Sequence, residues 1–248
     1  MAGSMQYQKI LKYKVKAVCA QPMHIGSAVG DKQEVLVHPI DKVPFVQATS
    51  IAGVFRGYFK EIYTEKEADL LFGARKLEEN ANSYEYGSRL RFSDGMFISG
   101  QNAGLALELR PRVGIDRRTG TATESQIKGT AMDSGHKFNI EYIGAGAEFR
   151  FSVYLYDENY QTAVEEIFAA FGEKEIQLGG QKSNGCGQIA LKSLQFKCFD
   201  MTKAEDRKLW AQEEELPETA YQEKLTELKA KALYRNAYEI LVEGQTEN

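Results

Sequence analysis

A β-α-β-(excursion)-β-α-β order of elements places this chain in the α+β class, an antiparallel sheet backed by two helices on a modified ferredoxin-like (RRM-like) βαββαβ plan. Three observations lead there. Separate segments alternate apolar and polar residues or are dense in aromatic and β-branched residues, as strands require. Two segments between them repeat apolar residues at helical spacing, and a polar, arginine-rich stretch at mid-chain reads as an excursion from the core.

Residues 8–20 (QKILKYKVKAVCA) alternate with period two and predict a half-buried strand. Residues 21–46 hold three prolines, two glycines and no helical period, which predicts a long loop. Thr49 or Ser50 is suited to cap a helix through IAGVFRGYFKEIY, where Ile51, Val54, Phe55, Tyr58, Phe59 and Ile62 share a face. EADLLFG predicts a short second helix ended by Gly73, and the polar residues 74–87 a loop. RLRFSDGMFI (89–98) is strand-like, and residues 105–115 and about 127–143 predict an extended hairpin around the turn DRRTGTATE. EFRFSVYLYD (148–157) is the clearest strand; Asn159 then caps TAVEEIFAAFG, and the glycine-rich turn LGGQKSNGCG leads into the strand QIALKSLQFKCF.

The 248 residues are 43% hydrophobic and 27% charged, enough apolar material for a sizeable core. The expected organisation is one domain over 6–202, with the excursion at about 105–143 inserted, and an acidic helical extension over 203–248; residues 1–4 read as an expression scar. In the extension Tyr221, Leu225, Leu228 and Ala232 form an amphipathic stripe, and Pro217 separates it from a shorter helix around Trp210. The net charge of −4 resides wholly in that extension, which has 7 basic and 11 acidic residues, because residues 1–202 carry 24 of each. No apolar run is long enough for a membrane helix. Cys19, Cys186 and Cys198 form an odd set without a CxxC pair, against a disulfide framework or a structural zinc. A cytoplasmic protein without a membrane partner is the expectation.

Four features could carry chemistry. Gly179, Gly180, Gly185 and Gly187, with Lys182, Ser183 and Asn184, let backbone N–H groups approach a phosphate, or else make a flexible turn before a strand. The helix start at Gln47, Thr49 and Ser50 offers unpaired N–H groups to an anion, with Arg56 further along, or is a plain cap with a solvated arginine. The loop with His24, Asp31 and His38 has ligand-type residues at even spacing, though a loop does not hold ligands periodically; Asp31 could position a 2′-hydroxyl with a divalent ion, or be simply solvated. Arg110, Arg112, Arg117 and Arg118 crowd into nine residues, suited to phosphates or to keeping an exposed hairpin soluble. Together the basic and glycine-rich elements favour a single-stranded nucleic-acid path.

These strings resemble the repeat-associated mysterious proteins (RAMP superfamily) of CRISPR systems. VPFVQATSIAGVFR is similar to the family's "P-Y-I-P-G-S-S-L-K-G-x-x-R" segment, HIGS to its "H-x-G" and RLRFSDGMF to its "R-L-x-F-S-D-A" strand. LRPRVGIDRRTGTA is similar to its thumb and LGGQKSNGCGQI to its glycine-rich loop. Ala52, Gln47-Ala48 and Asn184 depart from the pattern, and an ungapped alignment puts Lys32 at the family's aspartate, a one-residue shift from Asp31. The thumb string points to the backbone subunit of type III (Csm or Cmr) effector complexes. The resemblance implies copies or paralogues, with other subunits, lining a guide RNA (crRNA) paired to target RNA. His24, Gln47, Thr49, Ser50, Arg56, Arg112, Arg117, Arg118, Gly179, Gly180, Lys182, Ser183 and Asn184 would contact RNA. Asp31 would cleave the target with a divalent metal such as Mg2+. A catalytically silent backbone or cap subunit, and a guide-processing endoribonuclease using His24, are the alternatives.

Overall fold

The computed structural model describes residues 8–26, 34–75, 85–98, 106–113, 137–172 and 176–230. Its elements, in order, are β1 (Lys9–Cys19), β2 (Phe45–Val46), α1 (Ala48–Ile62), α2 (Glu65–Phe72), β3 (Ala74–Arg75), β4 (Glu85–Tyr86), β5 (Leu90–Phe92) and β6 (Gly95–Phe97). Then come β7 (Leu107–Val113), β8 (Lys137–Ile143), β9 (Glu148–Leu155), α3 (Gln161–Gly172), β10 (Ile189–Asp200), α4 (Ala204–Ala211) and β11 (Gln222–Glu223). The chain is a mixed α+β protein built on one antiparallel sheet, in the order β11-β10-β1-β9-β6-β2, with β5 also on β9.

β1 lies at the centre. It pairs with β10 from Lys9↔Asp200 to Cys19↔Ile189, with an irregularity at Lys16/Ala17, and on its other side with β9 from Leu11↔Leu155 to Val18↔Glu148. Alternation sends Leu11, Tyr13, Val15 and Ala17 to the helix side. There α1 buries Ile51, Phe55 and Phe59, and α3 buries Val164, Ile167, Phe168 and Phe171. Phe55 is the hub, its ring 5.4 Å from Phe168 and 5.0 Å from Phe171. Burying a side chain of this size contributes roughly 1.5–3 kcal/mol.

Several local expectations are corrected. Neither Thr49 nor Ser50 caps α1: both are helical, Gln47 holds the cap position without a side-chain bond, and Asp94 accepts from the Ala48 N–H at 2.7 Å. Asp157 rather than Asn159 caps the turn before α3, accepting from the Asn159 N–H. The strand expected over 89–98 is broken at Ser93–Asp94 into β5 and β6, which frees Asp94 for α1. The segments expected to be loops hold short paired pieces, β2 on β6 and β3 on β4. α2 begins at Glu65 behind a Thr64–Glu67 capping box.

β7 and β8 pair with each other, from Leu107↔Ile143 to Val113↔Lys137, as a hairpin apart from the main sheet. The C-terminal segment wraps the β10 edge. Trp210 meets Phe199 and Tyr154 on the sheet's outer face, β11 pairs with β10, and Leu225 and Leu228, in a helical stretch over 225–230, join the core. On that inner side Lys224 pairs with Glu165 of α3 at 3.4 Å. No helix among the described residues is long and apolar enough to cross a membrane.

Candidate nucleic-acid interface

The glycine-rich turn meets one face of α1, to which Ser50 alone of the expected helix-start residues belongs. Ser50, Gly53 and Gly57 of α1 form one wall of a groove of about 520 Å³, and Gln177, Gly179 and Lys182 form the other. Gly53 and Gly57 lie one turn apart, and a Cβ at either would meet nothing within 4 Å. Glycine inside a helix costs about 1 kcal/mol relative to alanine, and no internal packing asks for it here. The missing side chains keep the groove open to close approach.

The opposite wall is held tightly from behind. The Gly180 N–H donates to the His24 carbonyl at 2.8 Å, and the Gly187 N–H to Pro22 at 2.8 Å. Gly179 has φ +84°, and a Cβ there would sit 2.3 Å from the His24 oxygen; at Gly187, with φ +82°, it would sit 2.0 Å from the Leu178 oxygen. Only glycine fits both positions. Between them Gln181 is left-handed (φ 61°), and the turn Lys182–Asn184 presents Lys182, Ser183 and Asn184 to solvent. Asn184 donates to Gln181 Oε1 at 2.6 Å.

His24 braces the glycine-rich turn from behind. Its Nδ1 lies 2.8 Å from the Glu141 carbonyl, which can only accept, so Nδ1 is the donor of that bond. A Cβ at Gly26 would lie 2.7 Å from that ring, which gives His-Ile-Gly its physical reason. The ring packs 5.7 Å from Tyr142 of β8. Tyr142, Ile140 and Cys186 form a small second core joining the hairpin to the glycine-rich turn.

The arginines divide. Arg112 donates to Tyr142 Oη at 2.7 Å and to Gln181 Oε1 at 3.2 Å, bracing hairpin and turn together. Arg110 bonds Glu108, which raises its pKa, and lies 5.2 Å from the Tyr142 ring. Arg56 donates to the Gly73 carbonyl at 2.8 Å and pairs with Asp69, so it ties α1 to α2. Gln47 and Thr49 are exposed at the start of α1, beside Asp94. Asp31, Arg117 and Arg118 lie outside the described residues. Among the described residues no three or more His, Cys, Asp or Glu side chains group to hold a metal. Gly57 and Gln181 stand outside the expected site residues, and Gly53 enters only as the helix glycine of the VPFVQATSIAGVFR segment. Glycines four apart on an otherwise amphipathic helix were the available signal for Gly53 and Gly57.

No curated protein sequence matches the chain. Among solved structures, a chain of "Cryo-EM structure of the Type III-B Cmr-beta bound to cognate target RNA" superposes with a TM-score of 0.53 at 17% identity. The superposition covers 76% of this chain and 61% of that one, so the protein spans less than two thirds of that relative's length and shares its fold. The sequence profile described as "RAMPs: RAMP superfamily" matches residues 16–190, which include the whole groove, its glycine-rich wall and the hairpin. The chain belongs to the RAMP superfamily.

Proposed function

We propose that this protein is an RNA-binding backbone subunit of a type III CRISPR effector complex and holds guide RNA in the groove between α1 and the glycine-rich turn. The observation that carries the reading is the convergence of the Ser50–Glu61 face of α1 and the glycine-rich turn, far apart in sequence, on one open groove whose lining includes Gly53, Gly57, Gly179 and Lys182 beside Glu61. Glycine-lined backbone and a lysine suit a sugar-phosphate chain passing at close range. The strand order β10-β1-β9-β5/β6 with α1 and α3 on one face supports the ferredoxin-like plan. In this reading residues 6–202 are the domain, β7–β8 is the base of a thumb over about 105–143, and 203–248 is an extension. The thumb separates guide from target RNA, and copies or paralogues assemble with other subunits in the cytoplasm for antiviral defence. Arg112 then acts from within, holding the thumb base to the glycine-rich turn. Asp31 is the residue to test for target-RNA cleavage with Mg2+.

The deciding measurement is the RNA that copurifies when the subunit is expressed with its partner subunits and a CRISPR array. Spacer-containing RNA with a constant repeat-derived 5′ tag is the expected result; RNA without spacer sequence would overturn the reading. In that complex Asp31→Ala is expected to abolish target cutting and leave guide RNA bound. Retained cutting would overturn the assignment of cleavage to Asp31.

A further inference from the structure

The sheet's outer face, away from α1 and α3, carries a one-sided charge. Alternation puts Lys12, Lys14 and Lys16 of β1, Arg91 of β5, Arg150 of β9 and Lys197 of β10 on this face, with Lys192 at the β10 irregularity. Glu148 is the one carboxylate that the described residues of these strands add to it, and it pairs with Lys16 at 2.7 Å and with Lys192. On these four strands seven cations face one carboxylate, against the exact balance of residues 1–202 as a whole, and Asp94 and Glu218 add carboxylates at the edges of the face.

The acidic C-terminal segment lies over half of this face. The Glu213 carboxylate meets the Lys12 ammonium and accepts from the Tyr154 hydroxyl at 3.1 Å. Trp210 sets its ring 5.8 Å from Tyr154 and 5.2 Å from Phe199. Lys14 sits 4.1 Å from the centre of the Tyr221 ring, and Lys197 donates to the Ala220 carbonyl at 3.2 Å. Burial pushes the Lys12 ammonium down to about 8, and repulsion from Lys14 adds to the effect, so the cations are crowded as well as covered. An aromatic ring and an anion three residues apart present to the sheet what a nucleotide presents, a flat ring and a phosphate. The other half of the face is open. It forms a groove of about 570 Å³ whose lining includes Lys16, Arg150, Ser152, Ser193 and Gln195, with Asp94, already engaged at the start of α1, and Glu218 of the covering segment. Arg150 is exposed and has no ion-pair partner among the described residues.

We infer that the outer face of the sheet is a second surface for single-stranded RNA, open at the Lys16–Arg150 groove and shut over Lys12, Tyr154 and Phe199 by the chain's own residues 204–221. The inference rests on the RNA-binding reading for the nature of the ligand, but its residues are distinct from the α1 groove. Cations spaced along neighbouring strands, with hydroxyl and amide donors between them, match a phosphate backbone. The rings beneath the segment complement bases, which an acidic peptide lacks.

The test uses the full-length chain and a fluorescein-labelled 30-nucleotide oligouridine, titrated at several salt concentrations. Lys16→Gln/Arg150→Gln is expected to weaken binding about tenfold and to lower the salt slope by about 1.4, since each phosphate contact on a single strand contributes about 0.7. Trp210→Ala/Glu213→Gln frees 204–221, visible as faster hydrogen exchange there, and is expected to tighten binding several-fold; adding the groove substitutions removes that gain. If the freed variant does not fold, the groove variant decides alone. Lys182→Ala reports separately on the α1 groove. Loss with Lys182→Ala and none with Lys16→Gln/Arg150→Gln overturns the second surface and keeps the first; the reverse keeps the second and overturns the first. Release of 204–221 without tighter RNA binding overturns the inference. So does a polyglutamate peptide that binds, and loses binding with the groove substitutions, while RNA is unaffected.

Discussion

Gly179 and Gly187 combine a left-handed backbone with a neighbouring carbonyl oxygen where a Cβ would have to be, and the obstacle in each case is main chain that cannot rotate away. Gly179→Ala or Gly187→Ala is expected to destabilise the protein by about 2–4 kcal/mol, the left-handed cost of roughly 1–2 kcal/mol plus displacement of the carbonyl. Chemical denaturation gives the value; a loss under 0.5 kcal/mol would show that the turn can rearrange. Lys182, on the same turn, is exposed. Lys182→Ala should leave stability within about 0.5 kcal/mol, so a loss of RNA binding there reads as lost contact. The arginines carry the opposite lesson. Charge and type make Arg56 and Arg112 look alike in the sequence, yet one is tied to Asp69 and Gly73 and the other to Tyr142 and Gln181. These partners lie between 13 and 69 residues away, beyond the reach of local pattern.

At the scale of elements, β1, β9, β10, α1 and α3 were legible because each buries one face against a single core, which imposes a period on the sequence. The Lys12, Lys14, Lys16 alternation of β1 even announced an outer face. What local pattern could not supply was non-local. The start of α1 is satisfied by Asp94, 46 residues away, because the break between β5 and β6 turns that carboxylate toward the Ala48 N–H. The groove itself was hidden, since glycines in a helix read as lost propensity until the facing turn is in place. Asp94→Ala is expected to cost about 1 kcal/mol, the usual value of an N-terminal cap, although Asp94 is not in the helix or next to it. Thermal unfolding checks this. A variant as stable as the parent would mean that solvent satisfies the α1 start equally well.

For the molecule as a whole, the segment after β10 looks in sequence like an acidic appendix with a helical stripe, but its described part is a strap. It crosses the outer face through Trp210 and Glu213, extends the sheet with β11, and returns to the inner face, where Leu225 is 6% and Leu228 3% exposed. Tyr221, which the stripe assigned to a helix, instead precedes β11 and is buried under Lys14. Sheet edges invite pairing with other chains, and this strap covers part of the β10 edge. Each of the two leucines should therefore behave as a core residue: Leu225→Ala or Leu228→Ala is expected to cost about 2–5 kcal/mol. Removing residues 203–248 takes away both leucines, the Lys224–Glu165 pair and the cover of the edge in one step. The truncated protein is expected to lose its single cooperative transition or to melt at least 10 °C lower, given the roughly 2–4 °C per kcal/mol typical of chains this size. It is also expected to self-associate through the bared edge, which light scattering would register. A truncated protein that melts with the parent and stays monodisperse would show that the strap lies on the fold without supporting it.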